Sequence, residues 1–168
     1  MNDEAGDSGG GKPAPDQPAD QPQGMERRMA HRLLVRWRDA QEDDEIPSLD
    51  ALFRMDLKEM LPNIYVLKTP APGEDPEFVQ VGGAFDEEGG HGLVGATTQA
   101  VDDATLLGQA MRYYKKILGK KVPITLGGEF TKADGTEILY RSIIVPLSDD
   151  GNSVNLLLGA ANCKVKEK

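Results

Sequence analysis

The chain has 168 residues, enough for one domain, and at 39% hydrophobic it can bury a core. A net charge of −9 argues against nonspecific nucleic-acid binding, which needs cations to displace counterions from phosphates. A single cysteine, Cys163, excludes an internal disulfide, and no run approaches the ~20 apolar residues of a membrane helix, so the composition predicts a cytoplasmic protein with neither a nucleic-acid nor a membrane partner.

Residues 1–24 read as a disordered, acidic, Pro/Gly-rich tail. Gly9, Gly10 and Gly11 and Pro13, Pro15, Pro18 and Pro22 stand among Asp and Gln, and no large apolar side chain follows Met1. Such a segment cannot bury enough surface to offset its ordering entropy. It also lacks the positive and apolar regions of a signal peptide. Residues 25–168 then form one domain. Across 26–40 the pattern is helical: Met29, Leu33, Trp37 and Ala40 make one apolar stripe with Leu34 at its flank, surrounded by Arg27, Arg28, Arg32, Arg36 and Arg38. This stripe has two readings: it packs on the sheet of its own domain, or it packs on a second copy or a partner.

After a charged break, Ser48 is placed as the N-cap of a helix over 49–61, ended by Pro62. Two short strands follow at 64–68 and 77–82; the alternation in the second puts Phe78, Gln80 and Gly82 on one face and Val79 and Val81 on the other. Residues 85–95 are glycine-rich and irregular. A helix is predicted over 102–118, with Leu106, Leu107, Ala110, Met111, Tyr114 and Leu118 on its apolar face and Gly119 placed to end it. Lys115, Lys116, Lys120 and Lys121 gather where cations favour the helix dipole. Three strands close the chain, at 122–131, 136–147 and 153–164, joined by turns at Asp134-Gly135 and Asp150-Gly151, dipeptides suited to positive backbone dihedrals. This order predicts an α+β domain: a five-stranded antiparallel sheet with helices on one face and an extra N-terminal helix.

Two strands, a helical region and three strands is the PAS plan, and the chain resembles the stand-alone PAS proteins of alphaproteobacteria over residues 29–162. The resemblance is carried by Trp37 in an opening helix, Pro47-Ser48, Met55-Asp56-Leu57, Leu61-Pro62, Gly82-Gly83, Leu93-Val94-Gly95 and Tyr140. It is strongest in Pro146-Leu147-Ser148-Asp149-Asp150-Gly151 and the following Val154-Asn155-Leu156-Leu157-Leu158-Gly159. It implies a sensory or interaction module. Such modules bind a small molecule between sheet and central helices, or dimerise and dock signalling proteins. With no output domain in the chain, the expectation is a stand-alone regulator acting in trans on a signalling partner such as a sensor kinase, as a homodimer, and not an enzyme. The first helix, through Leu33, Leu34 and Trp37, would supply the dimer or partner surface. The implied cavity for a small apolar ligand would be lined by Phe85, Val94, Met111, Tyr114, Ile124, Tyr140, Ile144 and Leu157. Each of these also reads as simple core.

Haem and flavin are not supported by the sequence. Haem in such domains commonly takes a histidine ligand, and only His31 and His91 exist, one on the arginine-flanked helix and one in a glycine loop. Flavin photochemistry of the thiol-adduct type needs a cysteine in a helical motif, whereas Cys163 closes the last strand. Two rival functions have partial support in the sequence. Gly90-His91-Gly92-Leu93-Val94-Gly95 has the alternating glycines of a dinucleotide-binding enzyme, but acids precede it and no clear helix follows. Arg28 and Arg32 have the spacing that opens a PilZ cyclic-dinucleotide receptor, but that domain's Asp/Asn-x-Ser-x-x-Gly strand is missing. No catalytic elbow, zinc-protease pair or metal-ligand spacing is present.

Overall fold

The computed structural model describes residues 21–69, 74–88 and 92–167. Residues 1–20 of the expected tail and His91 lie outside them; helix α1 (Gln21–Gln41) begins within the range assigned to the tail. Helix α2 (Leu49–Arg54) is capped by Ser48 as expected, its Oγ accepting from the Ala51 N–H at 3.0 Å. It stops at Met55, earlier than the sequence suggested, because the Asp56 carboxylate caps the Lys58 N–H (3.3 Å) and diverts the chain into a 3₁₀ segment, Lys58–Asn63.

Strands β1 (Ile64–Lys68), β2 (Glu77–Val81), β3 (Ile124–Thr131), β4 (Glu137–Leu147) and β5 (Leu156–Val165) form one antiparallel sheet in the order β2-β1-β5-β4-β3. Two turns match expectation: Gly135 and Gly151 both take positive φ, at 90° and 84°. One face assignment is corrected. Tyr65 pairs with Val81, Val66 with Gln80 and Leu67 with Phe78, so Val79 is an extra residue on β2. This bulge flips the alternation, and Phe78 and Val81 both contact the same core while Val79 is exposed.

The single helix expected over 102–118 is two short ones, α3 (Leu106–Ala110) and α4 (Tyr114–Lys120). Asp102 delays the start: its carboxylate accepts from Ala104 N–H (2.8 Å) and its carbonyl from Thr105 Oγ1 (2.6 Å), leaving Thr105 to cap Gly108 N–H at 3.1 Å. The left-handed residue that ends α4 is Lys121 (φ 59°), not Gly119. Between the strands and these helices lie two further 3₁₀ segments, Gly83–Glu88 and Thr98–Ala100.

The sheet separates two hydrophobic cores. One face of it, here the inner face, carries Tyr65, Leu67, Phe78, Phe130, Ile138, Tyr140, Ile144, Leu157 and Ala161, covered by Phe85, Leu93 and the α3 and α4 residues Leu106, Leu107, Ala110, Met111 and Ile117. The outer face carries Ile64, Val66, Ile143, Val145, Leu147, Leu158 and Ala160, covered by Leu33, Trp37 and Ala40 of α1 with Leu52, Leu57 and Met60. Helix α1 therefore lies on the side of the sheet opposite to α3 and α4. Neighbours along one strand alternate between the two cores, as pleating requires.

Candidate ligand face and helix interface

Helix α1 decides between the two readings of its stripe. Leu33 is fully buried and Trp37 is 4% exposed, both against the outer face of their own sheet, with Leu34 half-buried beside them. Of the expected dimer surface, Leu33 and Trp37 therefore lie in the chain's own core and Leu34 is partly buried against it. Trp37 Nε1–H donates to the Pro146 carbonyl at 2.7 Å. The sheet explains why that carbonyl is available. β3 ends its pairing with β4 at Ile124–Ile144, so beyond it β4 has a strand on one side only. A proline, with no N–H to offer, is tolerated there.

The closing turn ties this helix down from the other end. Asp150 Oδ1 accepts from Ser153 N–H (2.7 Å), Ser148 Oγ–H (2.7 Å) and Asn152 N–H (2.9 Å). These bonds, led by that from Ser153, hold its carboxyl well below the usual range. Ile46 N–H donates to Gly151 O (3.3 Å) and Ser148 N–H to Pro47 O (2.9 Å), so the turn grips the linker between α1 and α2.

On the inner face, seven of the eight proposed lining residues converge. Phe85, Met111, Tyr140, Ile144 and Leu157 are buried in one cluster, and Tyr114 and Ile124 pack against it. Val94 does not join them. It is 63% exposed, while the preceding Leu93 turns inward. Ala96 N–H donating to Leu93 O (2.8 Å) and Gly95 N–H to Phe78 O (2.9 Å) make the tight turn that fixes this phase.

The residue that sequence reading missed is Tyr65, the second residue of β1. Its ring makes edge contacts with Phe78 (centroids 6.4 Å apart) and Phe85 (5.8 Å). Its hydroxyl end lies over Gly159, the β5 residue it faces across the ladder, where a Cβ would collide with it. Tyr65 is fully buried and its Oη has no hydrogen-bond partner. Burial pushes this hydroxyl far above the ordinary tyrosine range. Ser142 Oγ, on the inner face of β4, is buried and unpartnered as well; Thr98 Oγ1 is a third such group, in the 3₁₀ turn beside Pro76. A Tyr among β-branched residues reads as generic strand, and no sequence signal marks its hydroxyl as unpaired.

The rival sites are not assembled. Arg28 is exposed and Arg32 is bonded to Glu59 (2.7 Å), both on a helix packed against an open sheet rather than in a loop before a barrel. The glycine motif is followed by turns and the short Thr98–Ala100 segment, not by a helix, and every strand pairing is antiparallel. Cys163 stands on β5 opposite Tyr140, on a strand rather than in a helix, and packs against the inner-face cluster. Among the described residues no group of three His, Cys, Asp or Glu could hold a metal, and no helix is long and apolar enough to cross a membrane.

The sheet order, with helical turns between β2 and β3 covering one face, is the five-stranded antiparallel α+β arrangement expected from the sequence. Solved structures similar to it include the light-state LOV domain of the blue-light photoreceptor Aureochrome1, with 18% identity, 71% of this chain and 91% of that one covered, and a TM-score of 0.45. A LOV domain from a blue-light activated histidine kinase of Erythrobacter litoralis has 15% identity, 62% and 96% coverage, and a TM-score of 0.45. The Rhodobacter sphaeroides LOV protein has 11% identity, 81% and 66% coverage, and a TM-score of 0.43. No family model and no curated protein matches the chain.

Proposed function

We propose that this chain is a cytoplasmic PAS sensory module of the alphaproteobacterial type, which regulates a signalling partner such as a sensor kinase and takes a small, largely apolar ligand on its inner face. One observation carries this reading: the two faces of the sheet are covered very differently. The outer face is held by one long helix with the short α2 and Lys58–Asn63 segments beside it, a buried tryptophan hydrogen bond and a clamped linker. The inner face is covered by segments of 3 to 7 residues, too short to be stable alone. Elements that open for a ligand come from the low-stability end of a fold. The ligand side and the anchored side are then the two faces of one sheet, and β4 and β5 present alternate residues to each.

The partner reading moves with α1. Its apolar stripe is used internally, so contact with a second copy or a partner falls to its outward side, where Arg28, His31 and Arg38 are exposed. In this reading the module acts by contact. Native mass spectrometry of protein purified without refolding tests the reading. Extra mass lost on denaturation, or a complex with a co-expressed kinase that weakens when Met111 is replaced, supports it. A ligand-free protein with no partner, indifferent to that replacement, removes it.

A further inference from the structure

We propose that the inner face recognises a neutral ligand bearing one hydrogen-bond acceptor, such as a carbonyl or ring nitrogen, and that Tyr65 Oη–H and Ser142 Oγ–H are the donors that hold it. This rests on the ligand-binding reading above and sharpens it from an apolar ligand to an apolar body with a polar tip.

Three observations lead there. First, Tyr65 and Ser142 are both buried and neither hydroxyl has a partner. Native structures satisfy nearly all such groups, and an exception calls for an explanation in function. Second, the ladder brings them to one patch. Tyr65 faces Gly159 on β5, and Gly159 faces Ile144 on β4; two residues along on the same face, Ala161 faces Ser142. Gly159 and Ala161 contribute almost no side-chain volume between the two hydroxyls, and Gly159 is the residue over which the phenol lies. Third, the surroundings set the charge of the ligand. Among the described residues no Asp, Glu, Lys, Arg or His is buried, so an ionised ligand beside Tyr65 would lack a buried counter-charge. The phenol itself stays protonated and donates at any physiological pH. Met111, unbranched and adaptable, lies at the margin of the cluster with Leu93 and is the side chain suited to move aside for a guest.

The test uses three probes of similar shape on the full chain: acetophenone, cumene and benzoate, with binding followed by ligand-observed NMR. The expected result is that acetophenone binds, benzoate does not, and the acetophenone-to-cumene affinity ratio falls by about threefold or more in both Tyr65→Phe and Ser142→Ala, since one neutral hydrogen bond is worth roughly that much. Comparing ratios cancels the probes' own solvation. An unchanged ratio in both variants overturns the proposed donors while leaving an apolar binding face intact. Binding of none of the probes by the unmodified protein removes the ligand reading itself. A separate control reads the premise. Tyr65→Phe leaves or raises the Tm of ligand-free protein if Oη is unpaired, whereas a fall of several degrees shows that it is bonded and overturns the proposal.

Discussion

Replacing Trp37 tests how α1 is held. Trp37 is 4% exposed, packs among outer-face residues and donates to Pro146 O at 2.7 Å. Truncation to alanine removes a large buried ring and leaves a cavity, a change that costs about 3–5 kcal/mol. For a domain of this size that lowers Tm by about 6–20 °C. Trp37→Phe keeps most of the apolar body but leaves the Pro146 carbonyl without its donor, at a cost of about 1–3 kcal/mol. Urea unfolding followed by far-UV circular dichroism measures both, and the order alanine, then phenylalanine, then unmodified separates packing from the hydrogen bond. Trp37 is the only tryptophan, so the emission of the unmodified protein reports docking of α1 directly. A loss below about 0.5 kcal/mol in Trp37→Ala, typical of a surface site, combined with a changed oligomeric state, would falsify the docking and return the stripe to an intermolecular role.

Gly159→Ala places a Cβ against the Tyr65 ring and is expected to destabilise by about 1–3 kcal/mol in thermal unfolding, with partial recovery when Tyr65 is shortened to Leu. Gly82→Ala meets the Pro62 and Leu61 backbone instead of a side chain, so no second substitution of a neighbour is expected to rescue it. The pH dependence of the closing turn has a defined sign. The folded-state pKa of Asp150 is depressed, so its contribution is present above the unfolded value of about 3.9 and is lost as pH falls through the folded value. The Tm gap between unmodified protein and Asp150→Asn is therefore expected to be full at neutral pH and to narrow below about pH 4; a gap constant down to pH 2 contradicts this. Arg32→Gln removes the exposed pair with Glu59 and is expected to change stability by less than about 1 kcal/mol.

The sheet was legible because its strands end at punctuation. Ile64–Lys68 is bounded as read, and the Asp134-Gly135 and Asp150-Gly151 turns place β4 and β5 to within three residues. Ser48 announced its helix for a chemical reason that the structure repeats. The misreadings have a shared cause. Asp56 sits inside apolar periodicity and Asp102 at the head of the helix expected over 102–118; each uses its carboxylate to cap a nearby N–H, the first ending a helix early and the second delaying one. The β2 bulge has no compositional mark, so the face of Val81 was assigned to the wrong side. Burial of the α1 stripe was one of two open readings, because an apolar stripe looks the same whether its cover is intramolecular or not. Tyr65 escaped notice since an unpaired hydroxyl is a property of its surroundings.

How the inner face could influence anything outside follows from the pleat. Ile144 lies in the inner cluster, and its neighbours Ile143 and Val145 lie under α1. A guest that displaces Ile144 or Leu157 must shift the backbone of β4 or β5, because packed interiors transmit displacement rather than absorb it. The nearest fixed point on that backbone is Pro146, held by Trp37, and just beyond it the turn at 148–153 that holds the α1–α2 linker. A ligand can shift this arrangement only by as much as it binds one geometry better than the other. The Tyr65 and Ser142 hydroxyls are where such a difference would arise, since pairing them distinguishes a filled inner face from an empty one by more than apolar contact. Trp37 emission should therefore respond to acetophenone in the unmodified protein and less so in Tyr65→Phe at equal occupancy. An emission spectrum unchanged at saturating probe would show that the two faces are mechanically independent, and the signal would then have to leave the domain through α3 and α4 instead.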